Sequence, residues 1–159
     1  MRTVNSIIEL ILSNTLDHVI ADQIEGQDLD FKEWSYRANG FKTQLKDNYK
    51  KMLHMAVCMA NGGGGHVVFG IADNKIGREE SILGVPINID VDEVANYIYQ
   101  KTEPRIQVKV TEVDVPYGTG KVLIISMTGE TPPYTQSDGK GSVRQGKDCL
   151  PLTGTIRRQ

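Results

Sequence analysis

At 159 residues, with 39% hydrophobic and 24% charged positions, the chain is long enough for one domain with its own core and has the composition of a globular protein. Its formal net charge of −2 excludes a globally basic nucleic-acid binder and leaves room only for a local basic patch. Its two cysteines, Cys58 and Cys149, lack the CxxC spacing of a structural zinc site and read as reduced thiols of an intracellular, cytoplasmic protein. The first apolar run, Ile7 to Leu12, is short and broken by Glu9, too little for a secretory leader or a membrane span. Residues 4–13 instead read as an amphipathic helix with Ile7, Ile8, Ile11 and Leu12 on one face, stopped at Asn14. Residues 15–28 are acidic (Asp17, Asp22, Glu25, Asp28) and read as a short helix or ordered loop.

Leu29 to Trp34 alternates like a strand, with Leu29 and Phe31 inward and Asp30 and Lys32 on the other face. A polar loop follows over 35–46. Asp47 or Asn48 can cap the next helix, whose Tyr49, Met52, Leu53, Ala56, Val57 and Ala60 recur with helical period. Met55, Cys58 and Met59 make its second half apolar nearly all round, as in a buried helix, with Cys58 as a small hydrophobe. Gly62 suits the position that ends it. Val67 to Ala72 is an unbroken apolar run, as in a central strand covered on both faces. Residues 74–81 read as a polar loop. Asp90 to Glu93 has capping-box spacing and opens a helix bounded by Pro104. Ile106, Val108 and Val110 alternate in one phase and Val113 and Val115 in the other, which predicts a β-bulge near Thr111 or Glu112. Val122 to Met127 returns as a strand, and Asp138-Gly139 predicts a hairpin turn between 134–136 and 142–144. The whole is α+β, with a mixed, largely antiparallel sheet and flanking helices.

Three features carry chemistry. The glycines at 62–65 lie between a helix and a strand, whereas a phosphate-binding loop needs strand, glycines, then helix. They read as a helix cap and a close backbone passage, with approach to a phosphate backbone as the functional alternative. Gly118-Thr119-Gly120-Lys121 resembles part of a Walker loop but precedes a strand and lacks the first glycine, so it too is rejected as a nucleotide loop. The carboxylates Glu25, Asp30 and Asp73 converge only if the chain bends at Gly26 and Asp73 meets Asp30 across the sheet. Gathered around one point they would call for a hard cation such as Mg²⁺ or Mn²⁺, which polarises a phosphoryl oxygen and activates water. Lys32 could then stabilise developing phosphate charge. The plain structural reading has Glu25 solvated, Asp30 paired with Lys32, and Asp73 starting a turn. The basic residues Arg37, Lys42, Lys46, Lys50 and Lys51, then Lys140, Arg144, Lys147, Arg157 and Arg158, would form a phosphate-tracking stripe if they cluster, and a solvated surface if they do not. His18, His54 and His66 share no ligand spacing, and His54 reads as a packing residue.

The ordered set Glu25-x4-Asp30-Phe31-Lys32, Met59-Ala60-Asn61-x-Gly63-Gly64, Phe69-Gly70-Ile71-x-Asp73, Gly84 and Val143-Arg144-Gln145-Gly146 resembles the Schlafen AlbA-like domain, also described as a divergent AAA DNA-binding domain. The resemblance implies an N-terminal helix over 1–20, a Schlafen AlbA-like domain over 21–152, and from 153–159 the start of a linker to a further region. It implies a nucleic-acid-binding domain, for DNA or RNA, in a bacterial regulatory or defence protein such as a transcriptional regulator. Phosphate contacts then fall to Lys42, Lys46, Lys50, Lys51, Lys140, Arg144 and Lys147, with Gly63 and Gly64 allowing close backbone approach. In the animal Schlafen nucleases the three catalytic acids match Glu25, Asp30 and Asp73, which implies a metal-dependent endoribonuclease as the alternative, with Lys32 beside them. The family usually has Glu where Asp30 stands, and those nucleases carry a zinc motif that this chain lacks. They also use two lobes, so a homodimer is expected here. A regulatory or oligomerisation module is the third reading.

Overall fold

The computed structural model describes residues 1–37 and 39–152. In chain order the helices are α1 (Val4–Leu12), α2 (Thr15–His18), α3 (Phe41–Asn61), α4 (Arg78–Ser81) and α5 (Val91–Gln100), with a 3-10 turn at Ala21–Gln23. The strands are β1 (Leu29–Lys32), β2 (Gly64–Phe69), β3 (Thr102–Glu103), β4 (Lys109–Asp114), β5 (Lys121–Thr128), β6 (Thr135–Gln136), β7 (Ser142–Gln145) and β8 (Asp148–Pro151). Four of them form the main sheet in the order β1-β2-β5-β4. The first pair is parallel, since α3 carries the chain back across the sheet, and the other two pairs are antiparallel. The expected α+β class with a mixed, largely antiparallel sheet holds. No helix among the described residues is long and apolar enough to cross a membrane.

The sheet is covered on both faces, which explains the unbroken apolar run in β2. Val67 and Phe69 pack on one side with α3 and α5, while Val68 packs on the other with Ile7, Ile11 and Leu16 of α1 and α2. Strand β5 splits the same way, Leu123, Ile125 and Met127 against Val122 and Ile124. On β1, Leu29 and Phe31 join the α1 side. Alternation therefore turns Asp30 and Lys32 toward α3.

The same two-sided cover corrects the expected bulge. β4 pairs with β5 without interruption from Lys109↔Ser126 to Asp114↔Lys121. Ile106 and Val108 belong to the α3 cluster and Val113 and Val115 to the α1 cluster. The change of phase is a change of buried face along a regular strand.

Four boundaries differ from expectation. α3 begins at Phe41 after Gly40, because Asn48 is not a cap. Asn48 is fully buried inside the helix, where its Oδ1 accepts from the Ser35 N–H (2.8 Å) and its Nδ2 donates to the Ser35 carbonyl (2.9 Å). At the other end the left-handed residue is Gly63 (φ 102°), one beyond Gly62. Residues 78–81 form α4 inside the expected loop. Asp138-Gly139 does turn the chain, with Gln136 N–H on the Lys140 carbonyl at 2.7 Å. However, β6 pairs with β3, and β7 runs on to pair with β8 around Gly146. Leu12, expected inward, is 49% exposed at the end of α1.

The cysteines depart furthest from expectation. Cys58 is buried as predicted, yet it is bonded to Cys149 across 91 residues of sequence. α3 and β8 pack side by side, so two thiols with no sequence motif meet in space.

Candidate functional site

A tight bend assembles the acidic residues. Gly26 N–H donates to the Leu29 carbonyl at 3.0 Å, which folds residues 26–29 back and lets Glu25 Oε2 accept the Phe31 N–H at 2.7 Å. The adjoining 3-10 turn is docked by Asp22 N–H on the Asp73 carbonyl, 2.9 Å. Asp22, Glu25 and Asp73 thereby each present a carboxylate oxygen within 4.8 Å of the other two. Asp73 lies four residues beyond the end of β2, not at its terminus.

Glu25 and Asp73 thus converge as expected, while the third carboxylate in mutual reach is Asp22. Asp30 sits beside them and is committed elsewhere. It is 2% exposed, with Oδ1 3.1 Å from Arg144 Nη1 and Oδ2 3.4 Å from Lys32 Nζ. Burial, and then the neighbouring Asp30 and Asp73, push Glu25 up to about 8, against the lowering effect of its Phe31 hydrogen bond. The hydrogen bond from Lys147 Nζ (3.1 Å) holds Asp22 below the usual carboxylate range. Two neighbouring acids driven apart in this way can divide proton-holding and charge-holding roles. The oxygen donors, hard and closely set, fit Mg²⁺ or Mn²⁺.

Beside the cluster lies an open groove of about 580 Å³ between α3 and the β7–β8 hairpin. Lys32, Lys50, Lys51 and Lys147 line it, opposed by Glu33 and Asp148. His54 also lines it from an exposed position on α3, where crowding and the nearby Lys32 lower its pKa. It is a wall residue, not the packing residue expected. Lys42 and Lys46 are exposed on α3 at four-residue steps from Lys50, on the same side of the helix. Lys140 is exposed on the far side of the hairpin, along a second cavity.

Two expected phosphate contacts are corrected. Arg144 is 2% exposed, and its guanidinium is spent on Asp30 and on the Gly26 and Leu29 carbonyls. Gly64 is buried, and a Cβ there would lie 2.7 Å from the Met127 carbonyl oxygen, so it serves close passage of β2 along β5. Gly63 is exposed and keeps its backbone at the surface. Arg37 is exposed, while Arg157 and Arg158 lie outside the described residues.

Several residues around the site had no role assigned from sequence. Gln27 donates to the Gly62 and Arg144 carbonyls and accepts from the Gly146 N–H, pinning the hairpin to the helix end. Asn61 clasps the Tyr134 backbone through both amide atoms and donates to the Ser142 carbonyl. Thr119 spends its hydroxyl on the Val85 carbonyl at 2.6 Å, which makes the Walker-like fragment a structural turn. The third carboxylate, Asp22, had a visible signal: it stands three residues before Glu25, one helical step away.

A family model described as Schlafen, AlbA_2 matches residues 25–153. Among solved structures, the DIP2311 protein of Corynebacterium diphtheriae is similar, with 26% identity and a TM-score of 0.61. The match covers 79% of this chain and 25% of that one, so the chain spans about a quarter of the length of that protein. A search of curated proteins gives no match.

Proposed function

The chain belongs to the Schlafen AlbA_2 family, and on that premise we propose that it is a nucleic-acid-binding domain whose phosphate path is the groove between α3 and the β7–β8 hairpin. The observation that carries this reading is the gathering of Lys32, Lys50, Lys51 and Lys147 around one groove in a chain whose net charge is −2. Exposed lysines hold phosphates without reading bases, so the contact is sequence-tolerant. Lys42 and Lys46 extend the path along α3. The same reading carries a homodimer, in which a second copy supplies the second lobe of a two-lobed groove, and a cytoplasmic setting.

Affinity for a short oligonucleotide is expected to fall with a log–log salt slope of about −0.9 per neutralised phosphate, hence roughly −3 to −4 for four lysines on duplex DNA. Fluorescence anisotropy at several salt concentrations measures it. Lys50→Glu with Lys51→Glu should flatten the slope and leave the thermal midpoint unchanged. A salt-independent wild-type affinity overturns the reading.

The convergence of Asp22, Glu25 and Asp73 supports a second reading, cleavage of the bound strand. A divalent ion, when bound, supplies Lewis-acid polarisation of a phosphoryl oxygen and an activated water. The chain itself contributes the donors Asp22, Glu25 and Asp73. In this reading Lys32 would meet the charge that develops on the phosphate, and the Phe31 N–H orients Glu25. Mn²⁺-dependent cleavage of a structured RNA that is lost in Asp73→Ala is the expected outcome. Cleavage that persists in that variant overturns it.

A further inference from the structure

The sulfur bond stands at the edge of the groove. Cys58 is wholly buried on α3, but Cys149 on β8 is only partly buried and lines the groove wall, its Sγ 3.9 Å from Met55 Sδ. One sulfur of the pair thus borders open space while the other is sealed in the core. The two strands of the hairpin are also held differently. β7 is fastened to the body by Asn61 on the Ser142 carbonyl and by Arg144 on Asp30, Gly26 and Leu29. β8 pairs with β7, and among the described residues no hydrogen bond joins it to a helix; Cys149 Sγ only touches Met55 Sδ at 3.9 Å. Beyond that packing, the covalent bond to Cys58 ties β8 to α3.

We propose that Cys58–Cys149 is a thiol–disulfide exchange site opening into the groove, with a low-molecular-weight thiol as its reductant and a low-molecular-weight disulfide as its oxidant, and that its state sets how firmly the groove holds phosphate. The second half of this statement rests on the groove being a phosphate path. In reduction, an incoming thiolate attacks the Cys149 sulfur from the groove side, forming a mixed disulfide as the S–S bond breaks and Cys58 leaves as a thiolate. A second thiolate then attacks the small molecule's sulfur, releasing a small disulfide and the Cys149 thiolate. Two electrons pass from the two small thiols to the protein, and their two protons end on Cys58 and Cys149. Oxidation is the reverse exchange. Unbonded sulfurs stay at van der Waals separation, so the reduced β8 moves off α3. Lys147 and Asp148, next in sequence to Cys149, shift with the wall.

The test treats the native chain with dithiothreitol or oxidised glutathione, alkylates it without denaturant, and weighs it. Label on Cys149 after reduction, and none after oxidation, is expected, since Cys58 is sealed in the core. Anisotropy on the two forms should show oligonucleotide affinity falling roughly fivefold on reduction, the size of one lost exposed ion pair. Cys149→Ser should hold the weaker affinity under both treatments. Label taken only after unfolding, thiols that oxidised glutathione leaves unbonded, or equal affinities in the two states overturn the proposal. If the oxidised chain binds no oligonucleotide, the phosphate reading fails on its own. Amide exchange of residues 148–150 then decides the exchange site: faster exchange on reduction upholds the tether, and unchanged exchange removes it.

Discussion

Replacing Arg144 with leucine is expected to lower the free energy of unfolding by about 3–5 kcal/mol, the cost of stranding a buried charge. Arg144 and Asp30 are both 2% exposed, and Arg144 Nη1 lies 3.1 Å from Asp30 Oδ1. The same guanidinium donates to the Gly26 carbonyl (2.9 Å from Nη2) and to the Leu29 carbonyl (3.0 Å). Leucine leaves Asp30 with only Lys32, 3.4 Å away on the exposed side, and leaves two carbonyls short of a donor. For a domain of this size the thermal midpoint should drop by roughly 10 °C. Lysine at 144 should recover little, because an ammonium cannot serve three acceptors as a planar fork does. Denaturant titration checks the magnitude. The double variant Arg144→Leu with Asp30→Asn should recover part of the loss, since the buried charge is then gone. A single variant as stable as the wild type would show that the pair contributes nothing net.

Glu25→Gln should act in the opposite direction. Its folded-state pKa of about 8 lies above the ordinary 4.5, so the folded protein holds this proton more tightly than the unfolded chain does. Its contribution is therefore complete below about pH 4.5 and is lost as pH rises through 8. Glutamine is neutral throughout and its amide oxygen can still accept the Phe31 N–H. Allowing for solvent at a half-buried site, the variant should be more stable than the wild type by about 1–3 kcal/mol near pH 8, with no gain near pH 4. Thermal melts across that range test the sign. Mn²⁺ should raise the wild-type midpoint at pH 8 and have less effect on the variant, which has lost one anionic donor. A variant that gains nothing from pH 4 to 8 would show that Glu25 is not strained by burial.

The residues that could be read from sequence were those whose neighbours are local. α3 announced itself because Met52, Ala56, Val57 and Ala60 repeat with the period of the helix that buries them. The turn of Asp30 and Lys32 away from Leu29 and Phe31 followed from the period of two in β1. Reading failed where a long-range contact decided the matter. β4 looked kinked because its valines serve two cores, which no single-face pattern can express. Arg144 looked like a surface cation, since nothing in Val143-Arg144-Gln145 shows that a carboxylate from β1 meets it. Asp22 joined Glu25 and Asp73 through a backbone hydrogen bond spanning two loops. Cys58 and Cys149 carry no spacing signal at all. Glu25 and Asp73 were legible as acids worth joining, but their true third member depended on how the 3-10 turn docks.

The pairing of Arg144 with β1 also has a history in time. The ribosome delivers Asp30 well before its guanidinium partner, since Arg144 is 115 residues beyond Leu29. At about 5–20 residues per second that interval is roughly 6 to 23 s. Throughout it the first strand of the sheet carries a carboxylate that has no interior cation to enter with. This edge stays wet until the β7–β8 hairpin emerges and seals it. A chain stalled short of that hairpin is left open where proteases and chaperones can reach it, so the ion pair reports that synthesis has gone far enough for the domain to close.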